Sequence, residues 1–171
     1  MNLEFEILKE NSKRQAVKVA RWIGNDTERF DELMQLLFTA DDRVALRCAW
    51  IMSHCADQYP DIITPWISKL VRRAGEKDAP QAVQRNVVRV LQFIDIPSKH
   101  QGKVANLCFN FLQDLKTPIA VKAFSMTVLV NIAKNEPDLK HEIVLVIEQM
   151  LPYGSAGIQA RAKKVLKQLA K

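Results

Sequence analysis

Apolar residues recur along this chain at two helical spacings, and the two alternate. The first spacing is i, i+4, i+7, i+8, i+11. It reads Val44, Cys48, Ile51, Met52 and Cys55, then Val83, Val87, Val90, Leu91 and Ile94. It returns as Val121, Ser125, Val128, Leu129 and Ile132, and again as Ile158, Ala162, Val165, Leu166 and Leu169. Gln15, Val19, Trp22 and Ile23 form a weaker first copy. The second spacing, i, i+3, i+4, i+7, i+8, runs through Phe30-Leu33-Met34-Leu37-Phe38 and Ile63-Trp66-Ile67-Leu70-Val71. It continues in Val104-Leu107-Cys108-Phe111-Leu112 and Ile143-Val146-Ile147-Met150-Leu151. Both spacings place their residues on one face of an α-helix.

The punctuation between these stripes agrees with them. Pro80 and Pro118 sit where first-type helices begin, because the first helical turn has no use for the missing N–H. Gly24, Gly75 and Gly154 fall where helices should stop. Asp26-Thr27, Thr117-Pro118 and Glu136-Pro137 read as helix starts. The pattern predicts helices over 12–24, 27–39, 42–58, 62–74, 79–95, 99–115, 118–134, 137–151 and 155–170, with a short helix over 3–9. Short linkers make successive helices antiparallel. A helix with one apolar face must bury it against neighbours, so the pairs stack. The expectation is an all-α chain of about four and a half antiparallel pairs, each roughly 37–39 residues long. It would form a single domain over 1–171, with 1–11 as an N-terminal cap and 155–171 as an unpaired C-terminal capping helix.

Composition narrows the class. Apolar residues make up 48% of the chain, which excludes a disordered polymer. Gly numbers five and Tyr two, which disfavours strand-and-turn folds. No apolar run reaches the ~18 residues of a membrane span. The start, Met1-Asn2-Leu3-Glu4-Phe5-Glu6, is acidic and lacks a secretory signal pattern, so a cytoplasmic location is expected. An odd count of three cysteines without paired spacing suits a reducing compartment.

The prolines at first-helix starts and the Val/Leu stripes that follow resemble the HEAT and armadillo-like repeat superfamily, over residues 12–170. The compact form also resembles short bacterial HEAT-like proteins. The resemblance implies an α-α superhelix, a right-handed solenoid, whose second helices line a concave face. It implies a non-enzymatic module that binds a protein or peptide there.

The repeat also accounts for the residues with reactive side chains. Cys48 aligns with Val87, Cys55 with Ile94, and Cys108 with Ile67 and Ile147, so all three read as core. His54, His100 and His141 lie on separate helices with no metal-ligand spacing. Asp41-Asp42 precedes a helix and reads as a cap. No phosphate loop, nucleophile elbow or Cys-x-x-Cys is present. The expectation is no catalytic residue, no cofactor and no metal.

The formal charge is +6. Its distribution is terminal: Lys13, Arg14, Lys18 and Arg21 at one end, and Arg161, Lys163, Lys164, Lys167 and Lys171 at the other, carry it without intervening acids. The C-terminal set reads as the polar outer face of a cap.

On the second helices the solvent-side row is Gln35, Ser68, Phe109 and Glu148. Phe109 is the one aromatic among polar equivalents, and it either packs under a neighbouring loop or serves as an exposed contact residue. With Asn106, Asn110, Gln113, Lys69 and Arg72 it is the expected partner-binding set. The alternative is a nucleic-acid-binding protein with the architecture of the alkylpurine DNA glycosylases. Trp66 and Asp114 would be its aromatic and carboxylate, although Trp66 aligns with the core positions Leu33 and Leu107.

Overall fold

The computed structural model describes residues 1–171. It contains ten α-helices and no strand. They are α1 (Leu3–Lys9), α2 (Lys13–Ile23), α3 (Thr27–Thr39), α4 (Asp42–Gln58), α5 (Ile67–Ala74), α6 (Gln81–Leu91), α7 (Ser98–Gln113), α8 (Ile119–Ala133), α9 (Leu139–Met150) and α10 (Ala156–Leu169). No helix is long and apolar enough to cross a membrane.

The helices begin and end where the side chains direct them. Asn2, Ser12, Asp26, Asp41 and Ser155 cap α1, α2, α3, α4 and α10 by accepting a backbone N–H three residues on. Pro80, Pro97 and Pro118 occupy the cap position of α6, α7 and α8 instead, one residue before each helix. Gly24 closes α2 with φ at 56°, a conformation that costs glycine little.

Several expected boundaries move, among them the end of α6, which stops at Leu91 rather than at 95. The start assigned to Glu136-Pro137 comes later: a turn intervenes, and α9 begins at Leu139. The helix expected over 62–74 is α-helical only from Ile67. Pro60–Trp66 is instead a 3₁₀ segment. Pro65 lies inside it, lacks an N–H and disfavours the α conformation of Thr64 before it.

The chain forms two compact units, Met1–Ile94 and Asp95–Lys171. In the first unit α4 lies between α2 and α6, forming a layer of first-type helices. The second-type elements, α3 and the 3₁₀ segment, pack on α4, and α5 packs on α6. The short α1 covers α2 and α4. In the second unit α8 packs on α10, with α7 and α9 against them as the other layer.

The apolar stripes are the core. Phe30, Leu33, Met34 and Leu37 of α3, and Val44, Cys48, Ile51, Met52 and Cys55 of α4, are all buried. Val121, Ser125, Val128, Leu129 and Ile132 of α8 are buried as well. A fully buried aliphatic of this kind contributes about 1.5–3 kcal/mol. Ser125 stands at an apolar position and meets the cost internally: its hydroxyl donates to the Val121 carbonyl at 2.7 Å. Gln101 does the same with the carbonyl of Ile96 at 2.9 Å.

Candidate protein-interaction site

The residues expected to bind a partner divide between the two units. Lys69 and Arg72 lie on α5, and Asn106, Phe109, Asn110 and Gln113 lie on α7. Phe109 does not fit the expectation of an exposed contact. It is buried, with 8% of its surface accessible, whereas its equivalents Gln35, Ser68 and Glu148 are exposed. The spacing fixes which way its Cα–Cβ bond leaves the helix, not what covers the ring. Asn106, Asn110 and Gln113 are exposed and share one face of α7, at i, i+4 and i+7. Lys69 is exposed, and its ammonium sits 4.7 Å from the ring centroid of Trp66. Arg72 is exposed. Trp66 itself is buried, as its alignment with leucines predicts. Asp114 ends α7 and accepts the Lys116 backbone N–H at 2.9 Å.

Gln113 leads to a feature that the repeat pattern does not reveal. A cleft of about 630 Å³ opens in the second unit beside the end of α7, the start of α8 and the α9–α10 connection. Leu115, Ile119, Met150 and Tyr153 line it with Gln113 and Lys122. Leu115 is 91% exposed, Tyr153 89% and Ile119 55%. Three large side chains held in water around one cleft form an exposed apolar patch rather than a core.

The connections that carry them are well tied. Pro152 fixes a short 3₁₀ turn, Leu151–Tyr153. Gly154 follows because a Cβ there would meet Ile158 Cγ2 at 2.8 Å, so only glycine lets the chain close onto α10. The Gln159 amide then donates to the Gly154 carbonyl at 3.1 Å. Tyr153 is therefore presented outward from a braced turn.

The electrostatics of the cleft have one sign. Lys122 is its only charged lining residue. The first turn of α8 has neither an acidic residue nor a side-chain cap, so its positive dipole end is uncompensated. The lining offers amides, hydroxyls and one ammonium, groups suited to hydrogen-bonding a ligand.

Sequence reasoning missed Leu115, Ile119 and Tyr153 as site residues. The signal was present: each is a large apolar residue that neither helical template uses, and two of them stand in turns, Leu115 between Asp114 and Lys116 and Tyr153 between Pro152 and Gly154. Arg161, read as part of a solvated basic cap, is also corrected. Its guanidinium donates to Thr127 Oγ1 at 2.7 Å and to the Ala123 carbonyl at 3.5 Å, bracing α10 on α8. The cysteines are buried, and burial pushes each of their thiols up to about 12.

The paired helices, the two alternating stripes and the proline starts define an all-α helical-repeat scaffold. A family model described as the HEAT repeat domain matches residues 4–169, and the chain belongs to that family. No curated protein and no solved structure matches the chain.

Proposed function

We propose that this protein is a non-enzymatic interaction module that holds an extended peptide segment of a protein partner in the cleft of the second unit. The carrying observation is the convergence of Leu115, Ile119 and Tyr153, all strongly exposed, on one cleft. These side chains supply the apolar anchor sites that dominate peptide recognition. Lys122 and the open start of α8 select a carboxylate next to the anchor, because no acid in the lining opposes one. The amides of Asn106, Asn110 and Gln113 extend the surface along α7 and hydrogen-bond the peptide backbone. Lys69 and Arg72, on the other unit, belong to a separate charged surface in this reading.

The test is selection of binding peptides from a random display library, followed by titration against variants. Selected peptides should share an aliphatic or aromatic residue beside Asp or Glu. Leu115→Asp with Tyr153→Asp should abolish binding at an unchanged melting temperature, since both side chains are solvent-exposed. Lys122→Glu should weaken it about tenfold. Peptides that bind the double variant as well as the wild type would overturn the proposal.

A further inference from the structure

The first unit carries a second surface of different chemistry. Along α2 the residues Arg14, Val17, Lys18 and Arg21 fall at i, i+3, i+4 and i+7, one face of the helix. Lys13 flanks this face, and Lys9 reaches it from the end of α1. Together they line an open groove of about 770 Å³. The segment from Asn11 to Asn25 contains no acidic residue.

The side of the groove nearer α1 is already neutralised. Glu6 takes Lys18 at 3.0 Å and Lys9 at 3.5 Å, and Glu10 takes Arg14 at 3.3 Å. The strength of the first contact is visible in Glu6, whose carboxyl is held down at about 2, chiefly by the Lys18 hydrogen bond. Lys13 and Arg21 have no carboxylate partner and are exposed. They stand eight residues apart, which is about 12 Å along the helix. Between them Val17 is half-buried and presents an apolar edge.

This arrangement discriminates between polyanions. A phosphate backbone favours cations without interleaved acids, and a single strand also needs aromatic faces for stacking. The groove has two glutamates along it and no aromatic lining residue. An acidic protein segment needs the opposite: spaced cations for separated carboxylates, and apolar contact between them. The groove already accepts carboxylates from its own chain at three cations.

We infer that the α1–α2 groove binds an acidic segment of a protein partner through Lys13 and Arg21, with Val17 as the apolar contact between them. This surface lies in the other unit from the peptide cleft and is independent of it.

The probe is fluorescently labelled poly-L-glutamate, titrated by anisotropy against the full chain at low and raised salt. A single-stranded oligonucleotide of matched charge is the comparison. Poly-L-glutamate should bind at low salt and weaken as salt rises. Lys13→Glu with Arg21→Glu should raise its Kd at least about tenfold, and Lys13→Gln with Arg21→Gln by a smaller factor in the same direction. Lys164→Glu with Lys167→Glu, on the basic C-terminal helix, should leave the Kd within about twofold. Absence of poly-L-glutamate binding at low salt would overturn the inference. So would equal losses from the α2 and α10 variants, which would mean diffuse charge. Tighter oligonucleotide binding that disappears with the α2 variants would assign the groove to nucleic acid instead.

Discussion

The indole N–H of Trp66 donates to Asp31 Oδ1 at 3.1 Å. The contact ties the 3₁₀ segment to α3. The ring lies stacked against Phe38, with centroids 5.9 Å apart. Trp66 is buried, and loss of Asp31 removes the acceptor of its indole N–H. Asp31→Ala should therefore lower unfolding free energy by about 1–2 kcal/mol. Asp31→Asn keeps an acceptor oxygen and should cost less. Urea midpoints of the two variants decide this, and equality of both with wild type would contradict it.

Phe109→Glu provides a sharper test of the corrected role of that residue. Burying a carboxylate in place of an aromatic ring should cost at least the ~3 kcal/mol of a Phe truncation. The neighbouring Asn110→Ala, at an exposed position, should stay within about 0.5 kcal/mol. A fully stable Phe109→Glu protein would restore the exposed reading.

The three cysteines give a chemical readout of the core. With their thiols pushed up to about 12 by burial, thiolate is negligible near neutral pH. Native protein should resist a thiol reagent, and denatured protein should take up three equivalents. Rapid labelling of any one under native conditions would mean that its helix opens locally.

Acid should destabilise the chain in two stages. Burial lowers the His54 pKa below 6.5, with Arg89 and Lys13 acting in the same direction and Asp57 opposing. In the unfolded chain His54 takes up its proton first as the pH falls. Its contribution to stability is therefore complete above 6.5 and declines as the pH drops from there toward the folded value. Glu6 follows lower down: its stabilisation is present above 4.5 and is lost as the pH falls toward about 2. Urea midpoints measured from pH 8 to 5 should fall, and His54→Gln should flatten that decline. An unchanged slope in the variant would remove His54 as its source.

The sequence displayed the fold more fully than the site, for a physical reason. A helix that must bury one face imposes a period, and a period is visible in one dimension. Phe30, Val44, Val87, Val128 and Ile147 all lie where the two templates put them. Caps at Asp26 and Asp41 were equally legible, because their chemistry is local. Phe109 stayed open between core and contact because burial depends on which other residues lie over the ring. Leu115 and Tyr153 were overlooked because turns have no period. Their convergence with Ile119 exists only once α7, α8 and α9 are packed. The 3₁₀ segment escaped because Ile63, Trp66 and Ile67 suit either coil, and only the prolines distinguish them.

That 3₁₀ segment also acts as a length adjuster. A 3₁₀ coil advances about 2.0 Å per residue against about 1.5 Å for an α-helix. The seven residues of Pro60–Trp66, packed on α4, therefore rise about 14 Å, where seven α-helical residues would rise about 10.5 Å. Pro60 and Pro65 thus let a short stretch of sequence cover more length than an α-helix of the same residue count. A repeat can in this way lose residues without losing length in proportion.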